Sequence, residues 1–171
     1  MSSKTSAPEH LSHPFPALYD QDSRVLILGS FPSVKSREQN FFYGHPQNRF
    51  WRVLAALTGE PVPETIPEKR RLVLAHHFAL WDVIASCEIT GSSDASIQNA
   101  VPNDLAPIFA HSQITRVFAN GKTASKLYDR FLLPQTGIAA QCLPSTSPAN
   151  TAWTLPKLLE AWRVILPQEE I

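Results

Sequence analysis

The sequence predicts an α/β protein with three layers, in which a mainly parallel four-stranded sheet lies between two layers of helices. Short runs of β-branched and aliphatic residues alternate along the chain with longer segments whose apolar residues recur at helical spacing. The 171 residues, of which 43% are hydrophobic and 18% charged, are enough for one domain with a substantial core.

The predicted strands are short and largely apolar throughout, which is typical of strands buried on both faces of a parallel sheet. Turn residues such as Gly29 and Gly121 follow them. The four strands are Arg24–Leu28, Phe78–Ile84, Thr115–Ala119 and Gly137–Leu143.

The predicted helices have an apolar face and recognisable ends. Gly59 follows the first of them, and Pro67 stands in a first turn, where a helix tolerates proline. The helices are Phe50–Thr58, Pro67–His76, Leu105–His111, Thr123–Phe131 and Leu155–Leu166.

Two segments are expected to lie outside these elements. Residues 1–13 are small, polar and proline-containing, which predicts a mobile tail ahead of a single domain at 14–171. Thr90–Asn99 is polar and rich in turn residues, which predicts a long connection of the kind that often carries function.

Composition argues against several classes of protein. Lys+Arg and Asp+Glu number 15 each, so binding to a polyanion needs a local basic patch. Cys87 and Cys142 have no CxxC pattern and no histidine at ligand spacing, which indicates reduced thiols and no metal. No apolar run approaches the roughly 20 residues of a membrane span, so we expect a cytoplasmic protein with no membrane partner. The oligomeric state stays open, with a monomer as the default expectation.

Polar residues follow each predicted strand. Gly29–Ser33 (GSFPS) lacks the glycines of a dinucleotide fingerprint and the Gly-Lys-Ser of a phosphate loop, so no cofactor is expected. The other strand ends carry Asp82, Asn120 and the segment Leu143–Asn150 (LPSTSPAN). Ligands of parallel sheets bind beyond the carboxyl ends of the strands, so we expect the functional site there.

Several of these residues keep two interpretations on pattern alone. Phe42 and Tyr43, with Phe41 before them, are either core residues or a stacking surface. Asn48 either caps the following helix or holds a water near a substrate. Residues 145–147 form either an ordinary turn or a set of hydrogen-bond donors for phosphates. A serine hydrolase is disfavoured because no Gly-x-Ser-x-Gly elbow occurs.

Five motifs, taken in order, resemble the uracil-DNA glycosylase superfamily, from about Val25 to the end of the chain. They are GSFPS, the run FFYGHPQNRFW (Phe41–Trp51), the Trp-Asp pair before the loop GSSDASI, FANGKTA and LPSTSPAN. The resemblance is greatest to the hypoxanthine (deoxyinosine) DNA glycosylase branch. HPQNRFW is also similar to the corresponding stretch of the mismatch-specific uracil glycosylases.

The resemblance implies an enzyme that flips a deaminated base out of DNA and hydrolyses its N-glycosidic bond. Tyr43, with Phe42 beside it, would stack on the flipped base. Backbone amides at Ser30 and Phe31 would support the base's carbonyl. Asn48 would orient the attacking water, because an amide is not a useful general base.

Three departures from the superfamily's pattern narrow the substrate. Ser30 stands where many relatives carry a longer Asp, Glu or Asn, and Leu143 replaces a histidine of the uracil-specific enzymes, so strong uracil activity is not expected. Asp82 is placed where those enzymes read the base with an asparagine. A carboxylate accepts the N1–H of hypoxanthine and rejects the acceptor nitrogen of adenine, although Asp82 could equally cap a turn. Asn120 completes the expected base pocket.

The DNA contacts are expected from the last motif and from basic residues. Ser145, Thr146 and Ser147 would bind the backbone, and the loop Pro148, Ala149 and Asn150 would enter the minor groove. Arg49, Arg52 and Lys122 are further candidates for phosphate contacts, or simply surface charges.

Three functions remain open at this point. The first is a monofunctional glycosylase for deaminated purines in DNA, without a Schiff-base lysine, a metal or a cofactor. The second is a uracil or thymine mismatch glycosylase on the same fold. The third is a non-catalytic nucleic-acid-binding module.

Overall fold

The structure, a computed structural model, describes residues 8–90 and 96–167. The strands in chain order are β1 (Glu9–Ser12), β2 (Val25–Gly29), β3 (Phe78–Asp82), β4 (Ile84–Ile89), β5 (Gln98–Pro102), β6 (Arg116–Asn120) and β7 (Ala140–Leu143). The helices are α1 (Val34–Gln39), α2 (Phe50–Thr58), α3 (Ile66–Ala75), α4 (Ala106–Ala110), α5 (Lys122–Phe131), α6 (Leu133–Thr136) and α7 (Leu155–Trp162), which a 3₁₀ turn (Arg163–Ile165) follows.

The predicted parallel sheet is confirmed, with four strands in the order β3-β2-β6-β7. Strand β2 lies inside it and is buried along its whole length. Val25 and Ile27 pack into one apolar cluster with α2, α3 and α7, whereas Leu26 and Leu28 pack into a second cluster with α4 and α5. The alternation of β2 side chains therefore separates two helical layers, as the sequence predicts.

Local sequence explains the helix ends. Thr65 and Glu68 form a reciprocal capping box at the start of α3, and Pro67 occupies its first turn. Gly59 ends α2 in the left-handed region at φ 73°. None of the helices in the described ranges is long and apolar enough to cross a bilayer.

A second sheet was not predicted. Strands β1, β4 and β5 form a three-stranded antiparallel sheet, and the expected strand Phe78–Ile84 divides at Val83 into β3 and β4. Strand β5 occupies the end of the expected connection Thr90–Asn99, whereas residues 91–95, which include most of the GSSDASI motif, lie outside the described residues.

The prediction of a mobile tail is wrong for residues 9–13. Strand β1 pairs antiparallel with β4, with Leu11 opposite Cys87, and the next amide, that of His13, donates to the carbonyl of Ala85 at 2.8 Å. The sequence of β1 is polar and shows no strand periodicity. Backbone hydrogen bonds to β4 fix its extended conformation, so strand propensity does not reveal it. Residues 1–7 lie outside the described residues.

Strand register brings the polar motifs to one edge. Gly29 lies opposite Asp82 in the β2–β3 pair, and Asn120 lies opposite Leu143 in the β6–β7 pair. Helix α1, also not predicted, begins immediately after the GSFPS turn and is capped by the hydroxyl of Ser33. Ser36 on this helix accepts a hydrogen bond from the Gly44 amide at 2.9 Å, which holds the Phe41–Trp51 segment over the sheet edge.

Candidate active site

A cavity of about 360 Å³ opens at the carboxyl edge of the parallel sheet. Most of the predicted site residues line it: Ser30, Phe31, Phe42, Tyr43, Asn48, Asp82, Asn120, Ser145, Thr146, Ser147 and Ala149. Asn150 instead lines an adjoining groove that also contains Lys122, and Pro148 lines neither. The structure thus joins the ends of all four strands of the parallel sheet and the loop before α2 in one cavity.

Three side chains form a hydrogen-bonded relay across the cavity wall. Asn120 Nδ2 donates to the Thr146 hydroxyl at 3.0 Å, so that hydroxyl donates onward to Asn48 Oδ1 at 2.8 Å. The Thr146 amide in turn donates to Asn120 Oδ1 at 3.0 Å. The relay fixes the loop before α2 to the ends of β6 and β7.

Asn48 bonds the backbone next to the start of α2 and also faces the cavity. Its Oδ1 accepts from the Phe50 amide at 2.9 Å, next to the start of α2, while the residue also lines the cavity. Phe50 N–H can only donate, so the atom facing it must be the oxygen. Oδ1 thus has both lone pairs engaged, and Nδ2 makes no hydrogen bond to any group in residues 8–90 and 96–167. Asn48 therefore offers a ligand its N–H groups.

Thr146 differs from its expected role as a DNA contact. It is fully buried, and its hydrogen bonds to Asn48 and Asn120 are internal. Asn120 likewise lines the cavity while its amide holds Thr146. These residues support the site from behind, a role that only tertiary contacts reveal.

Arg49 is also committed to the protein. Its guanidinium donates to the carbonyls of Ser147 at 3.0 Å, Asn150 at 3.1 Å and Trp153. Backbone carbonyls in a tight turn need donors, and Arg49 supplies them. Its expected phosphate contact is therefore replaced by a structural one, whereas Lys122 is exposed beside the adjoining groove.

The last motif also stabilises its own turn. Ser145 Oγ accepts from the Ser147 amide at 3.1 Å, and Ser147 Oγ accepts from the Ala149 amide at 3.2 Å. Asn150 Nδ2 closes the turn on the Ser145 carbonyl at 2.9 Å. Ser145 and Ser147 are half-buried and line the cavity, so the turn interpretation holds and leaves both near a ligand.

The two aromatic candidates for stacking on a base differ in how their rings are packed. Phe42 is 3% exposed and packs edge-on against Phe15, so it is a core residue that also forms cavity wall. Tyr43 adopts φ 52° and stacks on Phe50 at a centroid distance of 4.0 Å, which leaves only its other face for a ligand.

The Tyr43 hydroxyl is buried and has no hydrogen-bond partner among the described residues. Burial, and second the nearby Asp82 carboxylate, raise the pKa of this phenol well above its usual range. The Asn120 amide opposes that shift without meeting hydrogen-bond geometry. Tyr43 is therefore a neutral hydroxyl at any physiological pH.

Asp82 is buried at the end of β3, and its carboxylate is held by a residue that sequence reasoning missed. Its Oδ2 lies 2.7 Å from His13 Nε2. The carboxylate thus bonds a distant side chain, where the alternative interpretation had it capping a turn. Its Oδ1 lies against Gly29, where a Cβ atom would be 2.5 Å from that oxygen and 3.4 Å from the Tyr43 hydroxyl. Only glycine at position 29 admits both groups.

The remaining candidates are less distinctive. Ser30 is buried to 8% exposure, and Phe31, at 7%, carries the Arg37 guanidinium over its ring at 5.8 Å. Cys87 is buried and Cys142 is exposed, and the two are not joined in a disulfide. No group of three or more His, Cys, Asp or Glu side chains within the described ranges is arranged to hold a metal ion.

The sheet, the cavity at its carboxyl edge and the order of the motifs agree with the family comparison. The model of the uracil DNA glycosylase superfamily matches residues 16–166. The chain belongs to this superfamily and is a DNA glycosylase.

Particular relatives are similar over most of the chain. A hypoxanthine DNA glycosylase of Methanosarcina acetivorans is 36% identical over 138 residues, which cover 80% of this chain and 86% of the relative. A protein of the same name from Methanosarcina barkeri is 32% identical over 143 residues, with the same coverage of each chain. The NMR structure of a candidate uracil DNA glycosylase from M. acetivorans has a TM-score of 0.74 and 29% identity, and covers 88% of this chain and 96% of its own.

Proposed function

We propose that this protein removes hypoxanthine from DNA that contains deoxyinosine, by flipping the nucleotide and hydrolysing the bond between base and deoxyribose. The observation that carries the proposal is Asp82, a carboxylate held at the cavity wall by His13 and Gly29. The two relatives named hypoxanthine DNA glycosylase support it.

Asp82 suits the hydrogen-bonding edge of hypoxanthine. An ionised carboxylate only accepts, and hypoxanthine carries a hydrogen on N1, whereas N1 of adenine is itself an acceptor. A site whose buried acceptor would be left unpaired by the wrong base rejects that base strongly. Asp82 therefore favours the deaminated purine over its parent.

Asn48 positions the water in this proposal. Cleavage passes through an oxocarbenium-like sugar, which needs a placed water more than a strong base. A water that accepts one hydrogen bond from Asn48 Nδ2 keeps its second lone pair for attack on the sugar carbon. The relay from Asn120 through Thr146 keeps the Asn48 amide in that orientation.

DNA would lie across the cavity mouth. Ser145, Ser147 and the exposed Lys122 would contact the DNA backbone, and residues 148–150 would fill the space of the flipped base; the first two line the cavity and Lys122 lines the adjoining groove. Unstacking the base costs a few kcal/mol, and stacking on Tyr43 returns part of that energy.

A uracil or thymine mismatch glycosylase is the second candidate. Uracil also carries an N–H donor, on N3, that Asp82 could accept, so the carboxylate alone does not distinguish the two substrates. Ser30 and Leu143, which replace the longer polar residue and the histidine expected of a uracil enzyme, favour hypoxanthine.

Base release from labelled duplexes with one hypoxanthine, uracil, xanthine or thymine, followed by alkaline cleavage, tests the proposal. We expect the wild type to release hypoxanthine and the Asn48→Ala variant to lose at least about a hundredfold in rate. Asn48→Asp is the matched variant, since it retains the oxygen that accepts from Phe50 and Thr146 and replaces the N–H groups with a second, charged oxygen that only accepts.

We expect Asn48→Asp to fold normally and to regain hypoxanthine release only if a carboxylate can act as the base for the water. Full hypoxanthine activity in folded Asn48→Ala would contradict the role of Nδ2. Release of uracil alone by the wild type would favour the mismatch enzyme, and binding without release of any base would favour a non-catalytic module.

A further inference from the structure

We infer that His13 is a positioning residue for base recognition, and that it fixes the Asp82 carboxylate which reads the base. The inference rests on the proposed function and deepens it, because it makes the N-terminal segment part of the base pocket.

Backbone pairing with β4 brings the N-terminal segment, and with it His13, to Asp82. Strand β1 adds to the edge of β4, with Ser12 opposite Ser86, and the His13 amide extends this pairing to the Ala85 carbonyl. The His13 side chain is then 4% exposed, and its Nε2 lies 2.7 Å from Asp82 Oδ2. An ionised Asp82 requires that Nε2 carry the hydrogen, so His13 donates.

The His13 imidazole lies among aromatic rings and bonds Asp82. Phe15 and Trp81 lie at ring-centroid distances of 4.5 and 4.4 Å, and Phe31 and Phe42 lie further out at 6.0 and 6.3 Å. Its Nδ1 is buried and has no partner in the described part of the chain. The aromatic rings hold the imidazole, and Asp82 is its hydrogen-bonding partner.

The two carboxylate oxygens of Asp82 have different surroundings. Oδ2 is taken by His13, whereas Oδ1 lies on the Gly29 side, beside the cavity and near the Tyr43 hydroxyl. Without the donor, a buried carboxylate loses its hydrogen bond and is free to rotate about its last torsion. The acceptor would then no longer be held in place for a base N–H.

His13 also lies outside the segment that the family model matches. That match begins at residue 16, so β1 and His13 precede it.

The test compares release of hypoxanthine with release of purine, a base whose N1 has a lone pair in place of the hydrogen. Hypoxanthine and purine differ as leaving groups, but that difference is the same in every variant. It therefore cancels when the ratios of two variants are compared. His13→Phe fills the aromatic surroundings without a donor, and we expect it to lower the ratio about tenfold. His13→Gln, whose Nε2 can reach Oδ2, should stay within about threefold of the wild type. His13→Leu replaces His13→Phe, with the same expectation, if thermal unfolding shows that the latter does not fold.

A double-mutant comparison separates positioning from general damage. In an Asp82→Asn background, His13→Phe should change the ratio less than about twofold, because its effect acts through the carboxylate. An unchanged ratio in folded His13→Phe, or an equal loss in the Asp82→Asn background, would overturn the inference while the proposed function stands. A wild type that releases neither base would overturn both.

Discussion

Asp82 receives its side-chain hydrogen bond from a residue 69 positions earlier in the chain, across two sheets. The carboxylate that we propose reads the base, at the end of a strand, is thus held by a partner whose position depends on tertiary structure. His13 stands in a polar segment with no periodicity, so nothing in the local sequence marks it.

The substitution Asp82→Asn tests the base-reading role. The new amide oxygen would accept from His13 Nε2, which turns the NH₂ group towards the Gly29 side and replaces an acceptor with a donor there. We expect hypoxanthine release to fall about tenfold or more, and the preference for hypoxanthine over purine to be lost. An unchanged preference, measured on matched duplexes, would remove Asp82 from base recognition.

Tyr43 leads to a prediction about stability in alkali. Its pKa is raised in the folded protein by burial and by Asp82, so the stability it contributes is complete below the unfolded pKa of about 10 and is lost as pH rises beyond it. Tyr43→Phe retains the stack on Phe50 and cannot ionise.

We therefore expect wild type to lose more unfolding free energy than Tyr43→Phe between pH 8 and about pH 11, in urea titrations. Tyr128, whose pKa burial also raises, is present in both proteins and cancels in the comparison. Equal losses would show that the Tyr43 hydroxyl reaches solvent.

At the scale of elements, Arg49 joins the loop before α2 to the loop after β7. Three backbone carbonyls accept from its guanidinium, and its own amide donates to the Thr146 carbonyl at 3.0 Å. The cavity therefore depends on two loops that are locked together before any DNA arrives.

Arg49→Met removes these donors and keeps most of the side-chain volume. We expect a loss of about 1–3 kcal/mol in unfolding free energy, because three half-buried carbonyls lose their charged donor. The slope of log K against log salt for DNA binding should not change, since Arg49 is committed to carbonyls rather than phosphates.

Lys122→Ala is the matched control for that measurement. Lys122 is exposed beside the groove that adjoins the cavity, so its loss should lower the salt slope by about one while stability is retained. A lower slope for Arg49→Met, with an unchanged slope for Lys122→Ala, would contradict both assignments.

At the scale of the molecule, the parallel sheet could be predicted because each of its strands carries its own signal. The apolar run Val25–Gly29 and the one-sided face of α2 are local properties, and strand ends at one edge follow from the topology. The antiparallel sheet could not be predicted. Strands β1 and β5 are polar, and they are defined by hydrogen bonds to β4 rather than by burial of alternate side chains.

The candidate site could likewise be predicted only in part from the sequence. The position of Asn48 and Asp82 in the candidate site could be predicted from their places after or near strand ends, and both line the cavity. The supporting roles of Thr146 and Arg49 could not, because a buried threonine and an arginine that binds carbonyls look in sequence like DNA contacts. Only three-dimensional contacts reveal which polar groups are already occupied.

The charge of the whole molecule bears on DNA binding. With 15 basic and 15 acidic residues the protein has no net field that attracts a polyanion. Recognition of a damaged base must therefore depend on the cavity and its rim more than on general affinity for DNA.

The most direct test is the single-turnover rate of base release by the wild type from two duplexes that differ only in carrying hypoxanthine or uracil at one site. We expect hypoxanthine to be released at least about tenfold faster, because Ser30 and Leu143 stand in place of groups that a uracil enzyme uses. Faster release of uracil, or no release from the hypoxanthine duplex by folded protein, would contradict the assignment of this cavity to deaminated purines.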